Sequence, residues 1–269
     1  MTDPLDADRI AEGVLPALRS RLRRVTVRQT VDSTNTALAA LPAAEQHAHA
    51  LLAEEQTAGR GRGARRWHSP AGGNIYLSLG WRFRSAPPDL GALPLAVAVA
   101  VTEALTAAGL EGAGIKWPND ILVDGRKLAG ILVESQLAGA SEASVIAGIG
   151  LNVRMPRVAG EAAIDRPWTD LESDLPASRR PVKRNHLVSG LLDRLLATFE
   201  RFEATGFKSF RPRYTNFDIL KGRPITLEHA SGEVSGTGRG VDESGRLLVD
   251  CKNGEVRAFH SGEVRVFGA

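Results

Sequence analysis

A chain of 269 residues, 43% hydrophobic and 24% charged, can bury one large core with or without a small appended module, and such a composition excludes disorder. The net charge of +3 is too small to argue for nucleic-acid binding, and Cys251, the single cysteine, excludes an internal disulfide and a cysteine-based metal site. Residues 1–8 are acidic with no apolar run behind a basic start, and the longest apolar run, residues 90–105, contains Glu103 and falls short of the roughly 20 residues of a membrane span.

Those features place the chain in the cytoplasm, away from membranes. Thr2-Asp3-Pro4 reads as a cap with proline in the first turn, and Leu5, Ile10, Val14, Leu18 and Leu22 recur at helical spacing as far as Arg24. Residues 25–29 read as a short strand. Asp32-Ser33-Thr34-Asn35 then caps a helix running to about Leu41. Residues 51–55 form a strand that delivers a loop of interleaved glycine and arginine. A strand of alternating character follows over residues 74–83, with Ile75, Leu77, Leu79 and Trp81 on one side.

Residues 90–108 read as a buried helix. Three strand-like segments come next, at 115–117, 121–123 and 127–135, with Asp124-Gly125 as a hairpin turn between the last two. Residues 144–153 give one more, glycine-rich strand, and residues 154–181, with several prolines and no clear period, read as a long loop. Residues 186–204 form an amphipathic helix, with a further helix at 207–217. From Arg223 the texture changes to five short β-runs divided by glycines, which reads as a small β-barrel appended to an α+β domain. The expected division is 1–222 and 223–269.

The loop Gln56-Thr57-Ala58-Gly59-Arg60-Gly61-Arg62-Gly63-Ala64-Arg65-Arg66-Trp67 carries the clearest chemistry. Glycines let backbone N–H groups approach an anion, and arginines supply forked, permanent charges suited to carboxylate and phosphate. Lysine, by contrast, is confined to positions 116, 127, 183, 208, 221 and 252, so Lys116 and Lys127 inside dense motifs stand out.

Taken with Ser33-Thr34-Asn35, Lys116-Trp117-Pro118-Asn119-Asp120, Lys127-Leu128-Ala129-Gly130 and Gly148-Ile149-Gly150-Leu151-Asn152, this loop resembles the biotin protein ligases in content, order and spacing. The resemblance runs from about Val25 to the C-terminus. It implies a mixed sheet flanked by helices, followed by an SH3-like barrel. The implied activity joins biotin to AMP at the expense of Mg-ATP, then passes biotin to a lysine of a biotin carboxyl carrier protein. The resemblance puts Arg60, Gly61 and Arg62 against biotin and the adenylate phosphate, and Ser33, Thr34, Asn35 and Gln56 against the biotin ring. It puts Lys127 on the reacting carboxyl, with Asp120 needed for catalysis, and Gly130, Gly148 and Gly150 lining the biotin slot. Gly59, Arg65, Trp67, Lys116 and Asn152 fall to the nucleotide, with Trp168 covering adenine. Trp117 and Pro118 read as packing. No protein-held metal is implied.

Three departures stand out. The family loop has glycine where this chain has Ala64, with Gly63 one place earlier to take the turn. Phe267 stands near the place of a family arginine that reaches ATP phosphates, leaving Arg265 as a substitute. Only about 30 residues precede Ser33, too few for the winged helix-turn-helix of repressor members, so specific DNA binding is not expected. A lipoate or octanoate ligase of the same fold is the second reading, and an Arg/Gly nucleic-acid-binding module the third. The sequence leaves monomer and homodimer open.

Overall fold

The structure, a computed structural model, describes residues 3–138, 142–157, 164–230 and 232–266. The Thr2 cap lies outside them. Asp6 instead caps α1 (Ala7–Gly13), its carboxylate accepting from Arg9 N at 3.0 Å. The single helix expected to Arg24 is two helices. Val14 and Leu15 are extended, and a short α2 (Pro16–Arg19) restarts behind them. Pro16 lacks the N–H of a continuing helix and pushes Leu15 out of the helical region, an interruption that apolar spacing alone does not register.

β1 (Arg24–Val31) lies parallel to β2 (His49–Gln56), with α3 (Thr34–Ala39) and α4 (Ala43–Gln46) in the crossover. The chain continues through β3 (Ile75–Phe83), α5 (Leu93–Ala107), β4 (Ala113–Lys116), β5 (Asp120–Val123), β6 (Arg126–Ala138) and β7 (Glu142–Leu151). These strands make a seven-stranded mixed sheet in the order β1-β2-β3-β7-β6-β5-β4. Asp124 and Gly125 both have positive φ, 49° and 75°, as the turn between β5 and β6 requires.

The alternation expected along β3 gives way to burial of both faces: Tyr76, Ser78 and Gly80 are as enclosed as Ile75, Leu77 and Leu79. The reason is that α3 packs over β2, β3 and β7 on one face, while the main core fills the other. Leu38 of α3 joins Leu51 and Ile146 in a small separate cluster, whereas Leu52, one residue along β2, faces the main core. On the main-core side, α5 packs against β4, β6 and α7 (Arg184–Thr205). The 90–107 stretch is apolar enough to cross a membrane by length and composition, yet most side chains of α5 are buried within the fold.

The 154–181 segment is not wholly irregular: α6 (Leu171–Asp174) is capped by Asp170, whose side chain accepts from Ser173 N. After α7 comes α8 (Arg211–Phe217), then β8 (Pro224–His229), β9 (Gly232–Val241), β10 (Leu247–Cys251), β11 (Val256–Phe259) and β12 (Glu263–Val266). All five expected β-runs are strands, and they form an antiparallel sheet in the order β11-β10-β9-β8-β12. Among the described residues no β11–β12 pairing closes it into a ring. This sheet is fastened to the larger domain at Trp117, a buried side chain whose Nε1 donates to Gly245 O at 3.1 Å, and at Arg211, whose Nε donates to Val241 O at 2.9 Å.

Candidate functional site

The Arg/Gly loop folds on itself as a tight hairpin. Trp67 N donates to Gly59 O at 2.9 Å and Gly61 N to Arg65 O at 2.7 Å, and Arg60 bridges Arg66. Its tip is a short 3₁₀ turn over Arg62–Ala64 in which Gly63 takes φ 62° and ψ 42°. Glycine therefore occupies the one left-handed position of the tip, and the glycine expected one place later is not needed for the turn. Gly59 is required by packing, since a Cβ there would stand 2.5 Å from Trp67 O and 2.7 Å from Ser69 Oγ.

Three of the four arginines of this loop, Arg60, Arg62 and Arg65, are not equivalent. Arg60 Nη2 pairs with Glu134 Oε2 at 2.7 Å, and Arg65 Nη1 with Glu263 Oε1 at 2.9 Å. Arg62 pairs with no carboxylate among the described residues. Burial depresses its pKa, and Arg65 depresses it further, against the opposing fields of Asp120 and Glu263. A half-buried guanidinium without an internal carboxylate keeps its donors available to an external anion.

Lys127 reaches the same place through a β-bulge. Ile121 pairs with Ala129 but Leu122 pairs with Lys127, so Leu128 is an extra residue on β6. In an unbroken strand Lys127 and Gly130 would face opposite sides. The bulge brings them to one face, opposite Leu122 and Asp120, and Lys127 Nζ lies 2.6 Å from Asp120 Oδ1. Gly130 leaves room for the lysine arm, since a Cβ there would lie 3.3 Å from Lys127 Cε and 3.0 Å from Trp67 Cζ3. Gly150, paired with Gly130 across β6 and β7, is covered by the Trp67 ring so closely that a Cβ would overlap it. Lys127 Nζ sits 5.2 Å from the centroid of that ring.

The other end of the site is neutral and hydrogen-bonded. Gln56, at the end of β2, caps α3 from outside: its Oε1 accepts from Thr34 N at 2.9 Å, and its Nε2 donates to Ser69 Oγ at 2.8 Å. Ser33, the N-cap residue, makes no side-chain cap bond, so its hydroxyl is not spent on the helix. Asn35 is buried against Ser78 and Glu134, and Gly148 is bare because a Cβ would run into the Asn35 amide.

A third wall comes from the 164–170 segment, which joins the sheet beside Lys127: Lys127 N donates to Pro167 O at 2.9 Å and Thr169 N to Lys127 O at 3.0 Å. Asn152 anchors it by donating from Nδ2 to Thr169 O at 3.0 Å, leaving its own Oδ1 buried without a partner. Trp67 Nε1 and His68 Nε2 are also buried and unpartnered. His68, with its pKa lowered by burial and then by Arg66, presents a neutral ring.

These walls enclose one cavity of about 810 Å³. It collects Ser33, Thr34, Asn35, Gln56, Arg60, Gly61, Arg62, Arg65 and Trp67 from the first half of the chain. Asp120, Lys127, Gly130, Gly148, Gly150, Asn152 and Trp168 line it from the second. Two residues assigned to the nucleotide do not line it. Gly59 lies in the packed base of the hairpin, and Lys116, paired with Asp120 along β4 and β5, has its pKa lowered chiefly by burial. Arg265 points elsewhere, pairing with Glu228 on the neighbouring strand at 3.1 Å, and Phe267 lies outside the described residues. The small sheet contributes a carboxylate in place of the expected arginine: Glu263 holds both Arg65 and Arg166, the latter at 2.8 Å. Sequence reading missed His68, Ser69, Leu132, Arg166, Glu134 and Glu263. Of these, only His68 and Ser69, contiguous with the loop, carried a local signal.

Comparison with known proteins agrees with this geometry. The Biotin/lipoate A/B protein ligase family matches residues 27–152, and the biotin protein ligase C terminal domain matches residues 221–266. The chain is 34% identical over 245 residues to the bifunctional ligase/repressor BirA of Escherichia coli, covering 91% of this chain and 74% of that protein. It is 33% identical over 268 residues to the biotin–[acetyl-CoA-carboxylase] ligase of Mycobacterium tuberculosis, covering 97% and 95%. Among solved structures it resembles the biotin protein ligase of Aquifex aeolicus in complex with biotin and ATP, with a TM-score of 0.73 and 26% identity over 92% of this chain and 100% of that one.

Proposed function

This chain belongs to the biotin protein ligase family, and on that premise we infer how its cavity does its work. The enzyme activates biotin with ATP and transfers it to a biotin carrier protein. In the first step a biotin carboxylate oxygen attacks the α-phosphorus of ATP, the bond to the β-phosphate breaks, and pyrophosphate leaves. In the second, a carrier lysine amine attacks the acyl carbon of biotinyl-5'-AMP, the C–O bond of the mixed anhydride breaks, AMP leaves, and the amine gives up a proton.

One observation carries the assignment of ends. Unpartnered Arg62 and the Lys127–Asp120 pair stand at one end of a single cavity, and a neutral cluster of Thr34, Asn35 and Gln56 stands at the other. Two anions must meet in adenylation, so the cationic end suits the carboxylate and α-phosphate, and a neutral, directed hydrogen-bonding end suits a cyclic urea. A dithiolane ring would leave that neutral end unpaired, which argues against lipoate. Arg62 is assigned to the phosphate and Lys127 to the carboxyl, with Asp120 holding the lysine. Trp67 and Trp168 fit the adenine side. The nucleotide is assigned as Mg-ATP, with the metal arriving on its phosphates. The cytoplasm supplies both ATP and carrier, and a division of the chain near residue 222 separates the cavity walls from the small sheet.

The test is pyrophosphate release without carrier, followed by a mass gain on a carrier lysine. Release that requires both biotin and ATP supports the reading. Release with lipoate in place of biotin would favour the lipoate ligase, and no release without carrier would reject the two-step scheme. Operator recognition is not part of the proposal, and a mobility shift at physiological salt should show only weak, salt-sensitive DNA association.

A further inference from the structure

Gly130, Leu132 and Glu134 alternate onto one face of β6. The first two line the cavity, and Glu134 stands just beyond its wall, where it touches two residues that do line it. Glu134 Oε2 accepts from Arg60 Nη2 and from Asn35 Nδ2, both at 2.7 Å. A carboxylate so placed only accepts, so the Asn35 amide must present its nitrogen to Glu134. Leu132 O, 3.3 Å from the same nitrogen, favours the same orientation.

Asn35 Oδ1 then faces Ser78, whose Oγ lies 2.6 Å from it and 2.7 Å from Thr34 Oγ1. Ser78 is fully buried and its hydroxyl has one proton. Given to Asn35 Oδ1, that proton is no longer available to Thr34, so the contact between the two hydroxyls requires the Thr34 proton to point at Ser78. Gln56 Oε1 is a second acceptor 3.2 Å from Thr34 Oγ1, but the 2.7 Å contact with Ser78 is the shorter and needs a proton between its oxygens. Gln56 brings Thr34 no donor, its Oε1 accepting from Thr34 N and its Nε2 donating to Ser69 Oγ. The Thr34 hydroxyl is thus left with lone pairs for the cavity.

We propose that Glu134 is a positioning residue that acts through Asn35 and Ser78 to direct the Thr34 proton away from the cavity, so that the site offers a hydrogen-bond acceptor to a ring N–H of a cyclic urea. The inference rests on the biotin reading above, and it assigns that reading a polarity. Charge at Glu134 matters because an amide there accepts or donates equally well. Arg60 donates to the same carboxylate oxygen, so Glu134 ties the neutral end of the cavity to the Arg/Gly hairpin.

The test compares biotin with the two cyclic carbamate analogues in which one or the other ring N–H is replaced by oxygen, using pyrophosphate release by the full chain. The native enzyme should prefer biotin to at least one carbamate by more than about tenfold in kcat/KM, because a buried acceptor is left unpaired. Glu134→Gln should raise the KM for biotin, leave the KM for ATP unchanged, and cut that preference to within about threefold. Ser78→Ala, a smaller change that interrupts the same relay, should also cut the preference, and thermal unfolding will show whether each variant is folded. If Glu134→Gln slows biotin and both carbamates by one common factor, or if the native enzyme does not discriminate, Glu134 sets no polarity and the proposal fails. If the native enzyme makes no biotinyl-AMP, the parent reading fails instead.

Discussion

Lys127 Nζ lies 2.6 Å from Asp120 Oδ1, in a position that only the β-bulge at Leu128 makes possible. Arg62, on the same cavity wall, has no such partner among the described residues, so the two cations answer to different anions. Lys127→Ala should slow single-turnover adenylation by about 10- to 150-fold, the worth of one charge-assisted hydrogen bond made in the transition state, with little escape of intermediate. Arg62→Ala should release biotinyl-AMP into solution, measured as labelling of albumin added as a bystander. Equal ratios of leakage to slowed adenylation in the two variants would reduce both residues to a shared positive field.

Asp120→Ala removes the group that steers the lysine, so it should cost adenylation rate much as Lys127→Ala does. The double variant should cost little more than either single one, because residues in one ion pair are not additive. A product of the two single effects in the double variant would separate their roles.

Gly150→Ala tests the seating of Trp67. The added methyl would overlap the indole, and the ring, packed also against Gly130, would have to lift into the cavity to admit it. The expected outcome is a cost of about 1–3 kcal/mol in stability, with a raised KM for ATP and a shift in tryptophan emission. Unchanged emission together with unchanged ATP affinity would mean that Trp67 does not form the nucleotide wall.

Gly63→Ala isolates conformational strain from packing, because nothing lies within 4 Å of the position a Cβ would take there while φ is 62°. The hairpin tip should be destabilised by about 1 kcal/mol, read as faster proteolysis within residues 59–67. Native resistance would show that the left-handed turn is dispensable.

Glu172 supplies the pH dependence. Its carboxyl is held below the ordinary value of 4.5 by hydrogen bonds from Arg154 at 2.6 and 2.7 Å, against burial, which raises it, and with help from Val182 N at 2.9 Å. The folded pKa is depressed, so this stabilisation is fully present above the unfolded value and is lost as pH falls through the folded one. The Tm difference between native protein and Glu172→Gln should therefore be constant near neutrality and shrink as the pH drops below about 4.5. Because Arg154 is 41% exposed, the pair should contribute no more than about 1 kcal/mol. A Tm difference that grows on acidification would reverse the sign of the argument.

What the sequence by itself determined was the chemistry carried by contiguous residues and the order of elements that deliver them. The glycine–arginine loop, the Lys127 and Asp120 motifs and the five β-runs of the small sheet were legible because each depends on local spacing: turn glycines, period-two strands, and side chains within a few positions of one another. The helix break at Pro16 was readable in principle, but the apolar spacing on either side masked it. Other features depend on residues far apart in the chain. The two buried faces of β3 depend on α3 lying over it, and the pairing of Arg65 and Arg166 depends on Glu263 arriving from the small sheet, 198 residues beyond Arg65. The placement of Lys127 beside Gly130 depends on one extra residue in a strand register, which no propensity encodes. Glu134 is the clearest case: in the sequence it is one more acid on a strand, and only the fold, by closing 74 residues of chain to bring Arg60 and 99 to bring Asn35 onto the same oxygen, makes its charge an instruction to the cavity. Short-range geometry writes itself into spacing, whereas a hydrogen-bond acceptor acquires its donors only when distant segments are packed together and water is gone.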